Sequence, residues 1–306
     1  CMNCDNEREK FMEKKQFTGH IMAAISVVIW GTTFISSKIL LEDFSPIELL
    51  LLRFVIGYII LWIMSPRKME VTDRKHELHF AGAGLTGICL YYLFENVALL
   101  YTQASNVGVI TSISPFFIGI SAHLFLKDEK LKESFFVGFI FAIVGIAMIS
   151  FSGQDGVRLN FAGDMLSVVA AMMWGLYAIL ARKAGDFGYP VIPATRRMFF
   201  YGILMMLPLA FVFGFDVKAV QFGTPGNLLN LLYLSVGACA VCFVTWNRAV
   251  EILGAIKTSV YIYLIPVITI ITSIVVLHEK ITWMSAAGTV LTMTGVIISE
   301  RMGNAG

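Results

Sequence analysis

The sequence predicts an all-α integral membrane protein of ten transmembrane helices built as two inverted five-helix repeats. Three observations carry this: apolar runs of bilayer length, a lopsided distribution of Lys and Arg among the intervening loops, and a second half that repeats the first at a nearly constant offset.

Composition sets the class. Of 306 residues, 57% are hydrophobic and 14% charged, and the mean hydropathy is +0.77. A single water-soluble core could not hide so much apolar surface. The net charge of +2 is too small to point to nucleic acid or an acidic partner. The expected surroundings are membrane lipid.

A helix needs about 20 residues to cross a bilayer core of roughly 30 Å. Runs of that kind lie at 19–39, 46–64, 79–101, 105–126, 133–151, 161–183, 192–214, 228–251, 255–277 and 282–300. Only TQAS (102–105) and ILGA (252–255) separate spans three from four and eight from nine. Without those breaks each stretch would be about 45 residues, far too long for one crossing, so both are read as antiparallel hairpins.

Placing the N-terminus in the cytoplasm puts Arg8, Lys10, Lys14, Lys15, Arg67, Lys68, Arg74, Lys75, Lys127, Lys130, Lys132, Arg182, Lys183 and Arg301 inside, against Lys38, Arg158, Lys218 and Lys280 outside. By the positive-inside rule both termini are cytoplasmic and the chain is a multi-pass protein of the cytoplasmic membrane. Residues 1–18 and 301–306 are then cytoplasmic tails. The first span is too long for a signal peptide and lacks a small-residue cleavage site. A chain opening on Cys1 is expected to lack its initiator methionine or to be trimmed.

The second half matches the first. HIMAAISVVIWGTTFISSK (20–38) lies over DMLSVVAAMMWGLYAILAR (164–182) at an offset of 144, pairing Trp30 with Trp174, Lys38 with Arg182, Pro46 with Pro190 and Arg53 with Arg197. Later offsets of 151 and 150 pair Asn96 with Asn247, Pro115 with Pro266, Glu129 with Glu279 and Gly145 with Gly295. Two repeats follow, 19–153 and 161–300. Five spans each is an odd number, so the second copy enters the membrane from the opposite side. Inverted repeats recur in secondary transporters, where exchanging the halves' conformations turns an inward-open site into an outward-open one.

WGTTF after a short N-terminal segment, P-x6-R in the next span, SPFFIGISAHLFLKDEKL closing span four and YLIPVITIITSIVVLHEKIT as its counterpart resemble the drug/metabolite transporter superfamily, in its EamA-type ten-span branch. The resemblance covers residues 19 to 300. It implies that spans one to four and six to nine surround a central cavity with spans five and ten peripheral, and that small metabolites such as amino acids are exported.

Other chemistry is poorly supported. CMNC offers two thiols without a second pair, on what reads as an unstructured tail. Cys239 and Cys242 share one helical face and read as small apolar packers. Walker A, dinucleotide and HExxH patterns are missing from the sequence. No catalytic role, cofactor or metal is expected.

Polar residues inside the spans carry most of the functional information, because a charge in the bilayer needs a partner, a cavity or an interface. Arg53 lies about 10 Å from the outer end of span two, and Glu95 in span three sits at nearly the same depth, which makes Glu95 its expected partner. Arg197, Arg248 and Glu251 are the corresponding charge-pair or gating candidates near the inner ends of spans seven and eight. The arginines can clamp the bundle through their five donors; Glu95, with Asn96, can bind a substrate amine or a coupling proton. Lys257 opens span nine and either binds a substrate carboxylate or snorkels to the interface.

Trp30, Trp174, Tyr92, Trp246, Asn247, Tyr177, Tyr261 and Tyr263 are further cavity candidates, with packing as the competing reading for each ring. Gly31, Gly82, Gly84, Gly87, Gly138, Gly145 and Gly175 read as sites of close helix approach. Pro115 and Pro266 each remove an intrahelical hydrogen bond and are paired kinks or hinges. Glu129 and Glu279 are expected to face the N-terminal dipoles of spans five and ten.

The expected function is export of a small polar or zwitterionic molecule by alternating access, either proton-coupled or facilitated. Efflux of lipophilic cations and metabolite uptake are alternatives, and an intramembrane enzyme or sensor is the competing class. Monomer and homodimer are both open.

Overall fold

A computed structural model describes residues 2–125, 133–151 and 157–301. They form ten helices in chain order: α1 (Met2–Leu40), α2 (Pro46–Met64), α3 (Arg74–Tyr101), α4 (Ala104–Phe125), α5 (Glu133–Ser150), α6 (Val157–Asp186), α7 (Val191–Phe213), α8 (Pro225–Leu253), α9 (Lys257–Leu277) and α10 (Trp283–Arg301). No strand occurs among the described residues. Eight helices are long and apolar enough to cross a bilayer, while α5 and α10 contribute the shorter apolar segments Phe136–Ile149 and Trp283–Ile298.

Local chemistry sets the boundaries. At α2 the Ser45 side chain accepts from the Glu48 amide while Glu48 Oε2 accepts from the Ser45 amide, a reciprocal cap just ahead of Pro46 at the first helical position. The hairpins expected at TQAS and ILGA are present: α3 ends at Tyr101 before α4 begins at Ala104, and α8 ends at Leu253. Gly254 makes the second break with φ of 88°, a conformation open to glycine at little cost, and the helical turn Ala255–Ser259 contains the start of α9.

One expectation about the N-terminus fails. Residues 2–18 continue α1; EREKFMEKKQ contains good helix formers and neither Gly nor Pro, so the helix has no reason to stop before the membrane.

Pro115 and Pro266 do mark irregular backbone. α4 is interrupted at Ser112 and Ile113, whose amides bond to Val109 and Ile110 three residues back. α9 runs as 3-10 helix over Val260–Leu264 just before Pro266. A second, unexpected pair of irregularities is the wide π-type turns at Gly84–Leu90 in α3 and Tyr233–Val241 in α8, the third helix of each repeat.

Spans five and ten pack on each other at the edge of the bundle. A Cβ on Gly145 would lie 2.5 Å from the Gly288 carbonyl oxygen, and one on Gly295 would lie 2.7 Å from the Ala142 amide nitrogen. Nothing larger than hydrogen fits there. Another symmetric contact joins α2 to α8 and α7 to α3: a Cβ on Gly57 would stand 3.1 Å from Cys239 Cβ, and one on Gly202 would stand 2.6 Å from Ile88 Cβ. These crossings bring each repeat's second helix onto the other's third.

Candidate functional site

The crossing of the two repeats leaves an aromatic box at the bundle centre. Trp30 and Phe34 of α1, Tyr91, Tyr92 and Glu95 of α3, and Trp174 of α6 line it, closed by Thr33, Thr111, Ser114, Ile262 and Ile265. The internal volume is about 30 Å³. A water-sized body needs roughly 10–15 Å³, so the space admits one or two and no metabolite.

The rings hold one another edge-on. Trp30 lies 5.2 Å from Trp174 at 87° and 5.1 Å from Trp246, while Tyr91 is 5.1 Å from Trp174 and 4.7 Å from Tyr92. Such offset and edge contacts fit the quadrupoles of the rings. Trp30 Nε1 donates to the carbonyl of Ala238 at 3.1 Å, inside the wide turn of α8, where the ordinary backbone ladder is disturbed.

Glu95 is buried in this box. Tyr91, one turn earlier on the same face, hydrogen-bonds its carboxyl group, and Oε1 is left without a partner. The hydroxyls of Thr33, Thr111 and Ser114 donate to backbone carbonyls. What these three present to the cavity is lone pairs.

Arg53 does not form the ion pair expected with Glu95. It is fully buried, donates from Nε to Cys239 Sγ at 3.2 Å and lies 4.4 Å from the centre of the Tyr92 ring; both terminal nitrogens lack partners. The reason is the crossing at Gly57, which turns this part of α2 towards α8. Cys239, read from sequence as an apolar packer, is thereby a hydrogen-bond acceptor. The repeat-related Arg197 behaves likewise, reaching into the other repeat to pair with Glu77 of α3, which also accepts from Tyr201 at 2.7 Å.

The remaining sequence candidates lie around the box. Tyr177 donates to Asn247 Oδ1 at 2.7 Å, and Asn247 Nδ2 donates to Thr195 Oγ1 at 2.9 Å, tying α6, α8 and α7 together. Asn96 is buried and reaches the Pro46 carbonyl at 3.4 Å; its Oδ1 has no partner. Trp246 is buried behind Trp30. Tyr263 packs in a separate cluster with Ile113 and Phe116, and Tyr261 hydrogen-bonds His20 at 2.8 Å. Lys257 is exposed and does not enter the box. Arg248 and Glu251 pair with each other at 2.6 Å along α8.

Glu279 serves a helix N-terminus, but not that of span ten. Its two oxygens accept from the amides of Ala104 (2.8 Å) and Ser105 (3.1 Å), capping α4 of the first repeat. Lys38 stands 3.9 Å away and donates to the Thr102 carbonyl at 2.7 Å. The hairpin at 102–103 exposes free amides right beside the end of α9, so they capture the carboxylate first. Glu129 lies outside the described residues.

Tyr91, which the sequence alone does not single out, stands four residues before Glu95, the spacing that puts two side chains on one helix face. Phe34 carries no such signal, and Glu77 lies just ahead of the apolar run at 79–101 that marks span three.

Comparison with known proteins agrees with the duplication. The EamA-like transporter family matches residues 17–151 and again 161–300. The chain is 28% identical to an uncharacterised transporter of Archaeoglobus fulgidus over 92% of its own length and 96% of the relative's. It is 24% identical to a probable amino-acid metabolite efflux pump of Escherichia coli K12, covering 91% of this chain and 93% of that one. One solved crystal structure superposes with a TM-score of 0.68 at 18% identity, over 95% of this chain and 99% of the other, and shares the fold.

Proposed function

Because the chain belongs to the EamA-like transporter family, a family of integral membrane carriers and not enzymes, we propose that it exports a small amine-bearing, zwitterionic metabolite of the amino-acid kind by alternating access. The observation that carries this reading is Glu95: a carboxyl group with one unpartnered oxygen, enclosed by five aromatic side chains and by hydroxyls already committed as donors. An ammonium group satisfies such a box through charge, hydrogen bonds and cation–π contact together. The substrate carboxylate would go to the free terminal nitrogens of Arg53, reached when the Tyr92 ring swings aside. The similarity to a probable amino-acid metabolite efflux pump of Escherichia coli supports an amino-acid type of cargo.

In this reading the present conformation is occluded, since the box is too small for any metabolite. The two repeats, 19–153 and 161–300, rock about the crossings at Gly57 and Gly202, with Pro115 and Pro266 as bending points. Both termini face the cytoplasm, as the Lys and Arg distribution favours. Glu95 can alternate between substrate and proton, which would make the carrier an antiporter.

The test is uptake into proteoliposomes of a panel of amino acids and their decarboxylated amines, with and without a pH gradient. Wild type should carry zwitterions faster with the gradient, and Glu95→Gln should lower flux at least about a hundredfold while inserting normally. Unchanged flux in Glu95→Gln removes Glu95 from the site. A second reading, efflux of lipophilic organic cations, is favoured by the lack of any cation in the box lining; it predicts that the amines outrun the zwitterions and that Arg53 plays no part.

A further inference from the structure

Between α2 and α7, away from the aromatic box, lies a pocket of about 300 Å³ lined by Tyr58, Trp62, Lys68, Arg196, Arg197 and Phe200. Its charges are unequal. Arg197 is neutralised by Glu77. Arg196 and Lys68 have no carboxylate partner among the described residues.

Arg196 is held rigidly: its guanidinium stacks 3.7 Å from the Trp62 ring and donates to the carbonyls of Ser65 and Arg67 (2.6 Å to the latter). Three of its N–H donors stay available for an anion. Lys68, on the exposed loop beside it, is free to close over a ligand.

A separate apolar space of about 550 Å³ lies on the same pair of helices at their other end, lined from Leu51 and Val55 to Gly214 and Phe215. Phe211 is fifteen residues beyond Arg196 on α7, hence about 22 Å, past the middle of a bilayer core of roughly 30 Å, so that space belongs to the opposite leaflet. The cationic pocket itself, ringed by the indole of Trp62 and the phenol of Tyr58 at the helix ends, has the make-up of an acidic-headgroup site.

We propose that the α2–α7 seam binds the headgroup of one anionic phospholipid from the leaflet on the Ser65–Met69 side, its phosphate between Arg196 and Lys68 and its acyl chains in the surrounding lipid. Cationic pockets between membrane helices recognise acidic headgroups by this combination of charge and depth. The aromatic rings fix the level of the headgroup at the interface. Because α2 and α7 belong to different repeats, the lipid would sit on the joint across which they move.

Native mass spectrometry of detergent-purified protein, titrated with phosphatidylglycerol and phosphatidylcholine of identical chains, tests this. Phosphatidylglycerol should bind at least about tenfold more tightly, with two cations each contributing at the membrane surface. Lys68→Glu should abolish the preference; its side chain is exposed, so the melting temperature should not change. Equal binding of the two lipids, or a preference that survives Lys68→Glu, overturns the proposal. Displacement of the lipid by millimolar glycerol phosphate would overturn it in favour of a site for soluble phosphates. These readouts are independent of transport, so they stand or fall separately from the carrier assignment.

Discussion

Arg53 of α2 and Cys239 of α8, 186 residues apart in sequence, meet at 3.2 Å in the centre of the bundle, with the thiol accepting from the guanidinium Nε. The contact joins the two repeats where Gly57 lets their backbones approach. It also engages a donor on a charge that cannot reach water, and a buried donor without an acceptor costs about 1–3 kcal/mol. The prediction separates polarity from volume. Cys239→Ser keeps an acceptor of similar size and should melt within about 1 kcal/mol of wild type, whereas Cys239→Val should lose the full 1–3 kcal/mol. Intrinsic tryptophan fluorescence during heating in detergent measures both, and equal losses would show that the thiol acts by packing alone.

The glycines at these crossings differ in tolerance. A Cβ on Gly57 would stand 3.1 Å from the Cys239 Cβ, a gap a small shift can relieve, whereas a Cβ on Gly202 would meet Ile88 at 2.5 and 2.6 Å and the Gly84 carbonyl at 3.1 Å. Gly202→Ala should therefore destabilise by about 1–3 kcal/mol, in the range of an overpacked core, and Gly57→Ala by less. Thermal melts of the two variants side by side check the order; the reverse order would mean that α7 slides on α3 more easily than α2 on α8.

Much of this was legible beforehand. Spans, hairpins, duplication and inversion follow from hydropathy and from matches such as Trp30 with Trp174, because those signals are local or periodic. Trp30, Tyr92, Glu95 and Trp174, cavity candidates by sequence, line one box. What could not be read was which way a side chain turns. Arg53 and Glu95 share a depth, yet depth fixes only one coordinate, and the rotation of α2 set by Gly57 sends the arginine to α8. Tyr261 and Tyr263 show the same limit: they stand in span nine, but the 3-10 stretch before Pro266 shifts the helical period and points them elsewhere. The wide turns in α3 and α8 had no sequence signature that distinguishes them from ordinary glycine-rich helix.

Lys257 offers a direct check on facing. Its side chain is exposed and outside the box, so Lys257→Met should leave the apparent KM for zwitterionic and acidic substrates within about twofold, below 0.5 kcal/mol. Radiolabelled uptake in proteoliposomes measures it. A rise of tenfold or more for carboxylate-bearing substrates alone would place Lys257 at the substrate in another conformation of the carrier.

The end of the bundle opposite the N-terminal segment is closed by Glu279. Its carboxylate caps α4 through Ala104 and Ser105, stands 3.9 Å from Lys38 of α1 and ties the end of α9 to both. Beneath it, Thr102 donates to buried Asp164 of α6 at 2.9 Å and accepts from Asn106 at 3.2 Å, so one knot joins four helices. An anion at a helix N-terminus is worth about 0.5–2 kcal/mol, and Glu279→Gln keeps the shape while removing the charge. If the knot holds this end shut, the variant should open it more often by the same energy, a factor of about 5–30 in population for one to two kcal/mol. A cysteine at Thr111, which lines the box, reports the opening through its reaction with a membrane-impermeant maleimide added from that side. The labelling rate should rise several-fold in Glu279→Gln, and pairing it with Lys38→Met should give less than the sum of the two effects because the residues share one contact. An unchanged rate would mean that the hydrophobic packing of α4 against α9, and not the capped charge, keeps that end closed.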